Sequence, residues 1–371
     1  MKSLLLSILL LPSFLLAQQT SHNFMFDGAN RKYIQYIPAT YDGSTAVPVV
    51  FSLHGLGDNM NNFSQVGFHQ VADTANFIVI TPEALVSPLV NATAWNSGAG
   101  VGPFVLNEDV NDVGFLSAVL DSLTRHFNID QTRVYATGFS MGGFMSNRLA
   151  CELNNRIAAI ASVAGTIGSG INCQPARAMP VCHFHGTADG TVAYEGNQFG
   201  NDAEALFDFW STNNICDATI DSIQIANTVA DGISVTKITR KSNCTNNAET
   251  ILFRADSAGH NWLYTPANDI DYTSEIWKFF SNKTHPNPSL TSIAENSAIA
   301  FEVYPNPVKN LLSIKVNKEN NIVVNIYNVL GKKVLSSTNT KALDVSNLET
   351  GTYIIQLVSD NQIRSKAFRK M

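Results

Sequence analysis

The chain has 371 residues, 45% of them hydrophobic and 15% charged, and a net charge of −6 at neutral pH. That length exceeds what one ordinary domain needs. The acidic balance argues against a nucleic-acid partner, which rewards a basic surface.

Residues Met1 to Ala17 carry a single lysine, an apolar run and then alanine before Gln18. This is a signal-peptide pattern. The run is too short and wrongly flanked for a spanning helix, and no cysteine follows it to carry lipid. Nothing later is long enough to cross a bilayer, so stable membrane insertion is not expected.

Pro48 to Leu53 reads as the first strong core strand, and His54-Gly55-Leu56-Gly57-Asp58-Asn59 follows it. Glycines on both sides of Leu56 free its backbone amide to point inward, although an ordinary turn has the same composition. A strand at Phe77 to Thr81 leads to the polar, glycine-rich stretch Ser87 to Phe104, which holds Trp95.

Val134 to Phe139 reads as a buried strand that ends on Gly138-Phe139-Ser140-Met141-Gly142-Gly143. A helix is expected from Met141 to Leu153, with Phe144, Met145, Leu149 and Leu153 at helical spacing. Serine between a strand and a helix, with glycine two residues away on each side, has the form of a nucleophile elbow. The hydroxyl is then lifted to the sheet edge, and the amides of Met141 and Leu56 form the expected oxyanion donors. A serine-capped glycine turn is the plainer alternative.

A nucleophilic serine needs a base and an orienting acid. Pro180 to His185 reads as a strand opening into Gly186-Thr187-Ala188-Asp189-Gly190, and Thr250 to Ala255 as a strand opening into Asp256-Ser257-Ala258-Gly259-His260. Chemistry in open sheets sits at such C-terminal strand edges. Ser140, Asp189 and His260 are therefore expected together, with His260 as the base. His183 and His185 lie within a strand and read as satisfied structural histidines. His22, His126 and His285 lack the position of a base. Two close histidines without a third ligand do not make a metal site, so no metal and no cofactor are expected. Trp95 and Trp262 are expected to frame the substrate pocket, with core packing as the other reading of each.

The 5 cysteines are Cys151, Cys173, Cys182, Cys216 and Cys244. Cys182 lies inside a strand; the others sit at element ends or in loops, where an exported chain permits pairing. After Phe280, Ser281 to Ser289 is polar and proline-bearing, a linker by composition. Beyond it, Leu311 to Val316, Ile322 to Leu330 and Tyr353 to Val358 are β-prone runs separated by turns, the pattern of a small helix-free β-sandwich. From Phe301 onward the chain has 10 Lys and Arg against 5 Asp and Glu, so an acidic body carries a basic appendage. The expected boundaries are 1–17 for the leader, 18–283 for the catalytic domain, 284–300 for the linker and 301–371 for the appendage.

The segments Leu53 to Gly57, Asp112 to Leu116, Arg133 to Gly143 and His183 to Asp189 resemble the poly(3-hydroxybutyrate) depolymerase and feruloyl esterase group of α/β-hydrolases, across Tyr33 to Phe280. The resemblance implies a three-layer α/β sandwich, a Ser140-Asp189-His260 triad, and hydrolysis of carboxylic esters without a cofactor. Such esters range from polyesters to hydroxycinnamoyl or acetyl groups on plant polysaccharide. Ser87 to Phe104 has no counterpart, which leaves the acyl pocket open. Spacing and resemblance together suggest the disulfides Cys151–Cys173 and Cys216–Cys244, each worth about 2 to 4 kcal/mol.

The appendage has its own resemblance. Val303 to Pro307, Tyr327 to Gly331, Leu348 to Tyr353 and the basic end Arg364 to Lys370 are similar to the C-terminal sorting domain of the type IX secretion system of Bacteroidetes. That implies export across both membranes, usually with removal of the tail, and a partner in the secretion machinery. A carbohydrate-binding β-module is the competing reading, but Phe301, Tyr304, Tyr327, Tyr353 and Phe368 make no glycan platform. The sequence thus reads as a secreted, monomeric serine esterase acting on a polymeric or polymer-linked ester. A serine peptidase of the same fold and a non-catalytic surface binding protein are the other classes.

Overall fold

The computed structural model describes residues 17–101, 104–288, 301–316, 322–328, 332–338, 342–359 and 362–371. The leader up to residue 16 and linker residues 289–300 lie outside them. The chain divides into two compact units, Met1–Leu290 and Thr291–Met371.

The first unit is built on a ten-stranded sheet. Its strands are β1 (Gln18–Phe26), β2 (Ala29–Ile37), β3 (Val47–Leu53), β4 (Ile78–Glu83), β5 (Ile129–Phe139), β6 (Ala159–Val163), β7 (Val181–Gly186), β8 (Asp221–Gln224), β9 (Ser234–Arg240) and β10 (Thr250–Asp256). The spatial order is β1-β2-β4-β3-β5-β6-β7-β10-β9-β8. The central strands from β4 to β10 run parallel, and β1, β2, β8 and β9 add antiparallel edges. Every residue of β3, β6 and β7 is buried, as a parallel strand covered on both faces requires.

Helices supply that cover. Residues of α2 (Asp112–His126), α3 (Met141–Glu152) and α4 (Ala203–Asn213) join one apolar core, and residues of α1 (Phe68–Ala75) and α5 (Tyr272–Phe280) join the other. This is the three-layer α/β-hydrolase sandwich. The Asp112 motif has a structural task here. Asp112 forms a buried ion pair with Arg31 of β2 at 2.6 Å, and its second oxygen accepts the Asn96 amide at 2.7 Å, which anchors the stretch after β4.

Cys151 is bonded to Cys173 and Cys216 to Cys244, while Cys182 is free and buried in β7. The linker does not begin where composition places it. Ser281 caps α5, and Tyr135 donates to the Lys283 carbonyl at 2.6 Å. His285 is 4% exposed; its amide donates to the Thr132 carbonyl, and its Nε2 contacts the Asn154 carbonyl at 2.8 Å. The polar composition of this segment reflects satisfied backbone partners rather than freedom.

The second unit is all β among its described residues. Phe301–Tyr304, Leu311–Val316 and Leu343–Asp344 form one sheet; Lys333–Ser337, Val323–Asn328, Gly351–Ser359 and Gln362–Lys370 form the other. Leu312, Ile326, Ile355 and Phe368 lie in the core of this unit.

Candidate active site

Ser140 stands between the last residue of β5 and the first of α3, with φ of 53° and ψ of −120°. A non-glycine residue holds such a conformation only where its surroundings over-determine it. They do so here. The Ser140 amide donates to the Val163 carbonyl at 2.8 Å, and a Cβ on Gly142 would collide with the Leu53 carbonyl. Glycine at 142 thus lets α3 start against β3, with Met141 buried in its first turn and Ser140 only half-buried.

The loop after β3 lies against this elbow. A Cβ on Gly55 would be 3.5 Å from both the Phe139 carbonyl and the Ser140 Cβ. The next residue, Leu56, leaves its side chain 46% exposed. Its loop is pinned from behind by two residues. The Ala84 amide donates to His54 Nε2 at 3.0 Å, so Nδ1 carries the proton and donates to the Gly55 carbonyl at 2.7 Å. Burial lowers the basicity of His54, which favours that neutral form.

Trp95 is the second pin, and here the expectation of a substrate contact is corrected. The indole is fully buried, and its N–H donates to the His54 carbonyl at 2.9 Å. The polar side chains around it tie the loop together: Asn96 donates to the Glu108 and Val110 carbonyls, and Asn107 to those of Leu85 and Ala94. Trp262 is half-buried: it donates to Thr273 Oγ1 at 3.1 Å, packs edge-on against Phe63, and lines a cavity of about 530 Å³ with Gln70, Tyr264 and Asp271.

Asp189 and His260 come together from the ends of β7 and β10. The two loops are stitched: Thr187 donates to Ala255, Ala188 donates to Ala258, and the Ser257 amide donates to Thr187 Oγ1. His260 Nδ1 lies 2.7 Å from Asp189 Oδ2. A carboxylate accepts, so Nδ1 donates and Nε2 keeps its lone pair. Asp189 Oδ1 accepts the amides of Thr191 and Val192 at 2.8 and 2.9 Å. Burial opposes the charge on Asp189, but the nearby His185 Nε2–H, 3.5 Å away, and hydrogen bonds from His260 and the Thr191 amide outweigh it and hold the carboxyl well below the usual range. The His260 ring packs 4.7 Å from Phe139, the neighbour of Ser140.

Sequence reasoning assigns His183 and His185 to the core, and both are buried at 1% exposure. It misses what they touch. Ser162 Oγ, His183 and His185 form a chain of contacts that ends beside Asp189. Two histidines spaced i, i+2 on a strand that leads straight into the acidic turn were the available signal.

Residues 40–215 match the Phospholipase/Carboxylesterase family, a range that contains Ser140 and Asp189 but not His260. Residues 302–370 match the secretion system C-terminal sorting domain. Feruloyl esterase B of Piromyces equi is 35% identical over 173 residues, 45% of this chain and 30% of that protein. The bifunctional acetylxylan esterase/xylanase XynS20E of Neocallimastix patriciarum is 30% identical over 45% of this chain and 23% of its own length. The chain therefore spans less than a third of either relative. A probable feruloyl esterase C of Aspergillus niger is 26% identical over 67% of this chain and 83% of its own. Among solved structures, an acetyl xylan esterase from Aspergillus awamori superposes with a TM-score of 0.48 at 15% identity, over 71% of this chain and 98% of that one. In sequence order, then, a segment that matches the Phospholipase/Carboxylesterase family is followed by one that matches a secretion system C-terminal sorting domain.

Proposed function

We propose that this protein is a secreted serine carboxylic-ester hydrolase that removes feruloyl or acetyl groups from plant polysaccharide. The hydrogen bond between His260 and Asp189, on loops stitched together beside the strained Ser140, carries this reading. The feruloyl esterase and acetylxylan esterase activities named for the relatives support the substrate class.

In the proposed reaction Ser140 Oγ attacks the acyl carbon while His260 Nε2 takes the hydroxyl proton. Asp189 holds the imidazole and stabilises the imidazolium. The amides of Leu56 and Met141 donate to the oxyanion. Collapse expels the sugar oxygen, which takes the proton from His260 and leaves as the hydroxyl, and water then repeats the sequence to release the acid and restore Ser140. Residues 18–288 would perform this chemistry. Residues 301–371 would direct export through a type IX system, the reading that their match supports.

The test is a panel for the purified full chain: methyl ferulate, acetylated xylan, poly(3-hydroxybutyrate), an aromatic polyester and a peptide amide. Methyl ferulate or acetylated xylan should be the preferred substrate, and Ser140→Ala should lower turnover by about three to six orders of magnitude. Preference for either polyester would replace the substrate class. Turnover of the amide alone would make the protein a peptidase, and wild-type turnover by Ser140→Ala would remove the serine from the mechanism.

A further inference from the structure

Behind Asp189 lies a line of buried polar groups that a hydrolytic triad does not require. On the sheet, β6 and β7 place Ser162 beside His183. Ser162 Oγ lies 2.7 Å from His183 Nδ1, His183 Nε2 lies 3.0 Å from His185 Nδ1, and His185 Nε2 lies 2.8 Å from the Val192 carbonyl. The same His185 Nε2 is 3.5 Å from Asp189 Oδ2, the oxygen that accepts from His260.

The proton directions follow from the far end. A carbonyl only accepts, so His185 Nε2 carries a proton and donates to Val192. With one proton per ring, His185 Nδ1 accepts from His183 Nε2, and His183 Nδ1 accepts from the Ser162 hydroxyl. The Ser162 carbonyl, 3.1 Å from that nitrogen, is then a contact and not an acceptor. Any further proton would place a charge among fully buried groups. For His183, burial first and the neighbouring ring second hold its basicity well below that of a free imidazole.

The receiving carbonyl belongs to the residue whose amide, with that of Thr191, clamps Asp189 Oδ1. The imidazole pair therefore fixes the turn that fixes the carboxylate. We propose that His183 and His185 are positioning residues, a two-ring strut running from Ser162 on β6 to the 189–192 turn, which sets where Asp189 stands and so how well it supports His260. The role of Asp189 in this statement rests on the serine-hydrolase reading. The other titratable groups around His185 are Tyr194, whose ring is 5.6 Å away and whose hydroxyl donates to Glu204 of α4, and beyond it the Arg254–Asp256 pair of β10.

His185→Phe in the full chain removes the donor and keeps a ring of similar size. Turnover of a soluble ester should fall about 10- to 100-fold with KM nearly unchanged, the scale of a sub-ångström misplacement in a catalytic constellation. The imidazolium of His260 loses part of its partner, so the acid limb of the pH–rate profile should move to lower pH. The low-field proton resonance of His260 Nδ1–H should broaden or move upfield. His185→Gln, whose amide can still donate towards Val192, should recover most of each loss. His183→Phe should be milder, and the double variant should be no worse than His185→Phe alone, because both act through one contact.

If folded His185→Phe, checked by circular dichroism, lost only thermal stability while rate, acid limb and resonance stayed as in the wild type, the strut would be structural and the proposal wrong. An acid limb displaced to higher pH would overturn it too, since His185 would then be damping the charge of Asp189 rather than placing it. The resonance and its titration are read without substrate. Absence of ester turnover in the wild-type chain would thus sink the functional reading while leaving the strut to be judged by the spectrum.

Discussion

Asp189 is the residue at which burial and hydrogen bonding compete most directly. Its side chain is sealed from solvent, yet the nearby His185, the hydrogen bond from His260 and two backbone amides keep it ionised well below the pH at which a free carboxyl takes up a proton. A carboxyl whose pKa is depressed by folding adds stability that is present above its unfolded value of about 3.9 and is lost as the pH falls through the folded value. Wild type and Asp189→Asn should therefore differ by a constant denaturation midpoint at pH 5 and above. The gap should close progressively as the pH drops below about 4, where the carboxyl of the unfolded chain takes up its proton while the folded one is still charged. Urea titrations across that range check the sign; a gap that widened in acid would mean that the carboxyl is destabilised by its site. Turnover by Asp189→Asn should fall by about four orders of magnitude, because the asparagine amide favours the wrong His260 tautomer.

At the scale of elements, the loop after β3 shows why a short segment needs a deep anchor. Trp95→Phe keeps most of the packing but leaves the His54 carbonyl without its indole donor, at a cost of about 1–3 kcal/mol. Turnover should fall with it while KM holds; a substrate-stacking tryptophan would instead raise KM and leave the denaturation midpoint alone. The sequence reveals the central elements because β3, β5, β7 and β10 are apolar runs and Ser140, Asp189 and His260 each follow one of them. It conceals the edges: β1 is mostly exposed and β8 wholly so, and neither has the apolar run that marks a core strand. Trp95 is hidden for a related reason. Its burial comes from residues distant in the chain, which no local periodicity records, and the contacts of His183 and His185 depend equally on β6 lying alongside β7.

For the molecule as a whole, the first unit is clasped to β5 and to the segment after α3 by His285, beyond Lys283. A chain stopped after Pro288 should keep soluble-ester turnover within about twofold, since an appendage beyond a linker adds little to a preorganised site. Stopping at Lys283 removes His285, whose amide and ring contact the Thr132 and Asn154 carbonyls, and should lower the melting temperature by several degrees. In a host with type IX secretion, the chain ending at Pro288 should accumulate in the periplasm; full yield in the medium would remove the sorting role from the tail. The position of β10 adds a consequence in time. It lies between β7 and β9, and it leads into the loop that holds His260, 71 residues after Asp189. A polypeptide threaded through a membrane from its N-terminus delivers Ser140 long before that strand. On the proposed reading, the serine would lack its activating partner until β10 slots in, so the protein would cross its first membrane as an unarmed chain and become a hydrolase only on the far side.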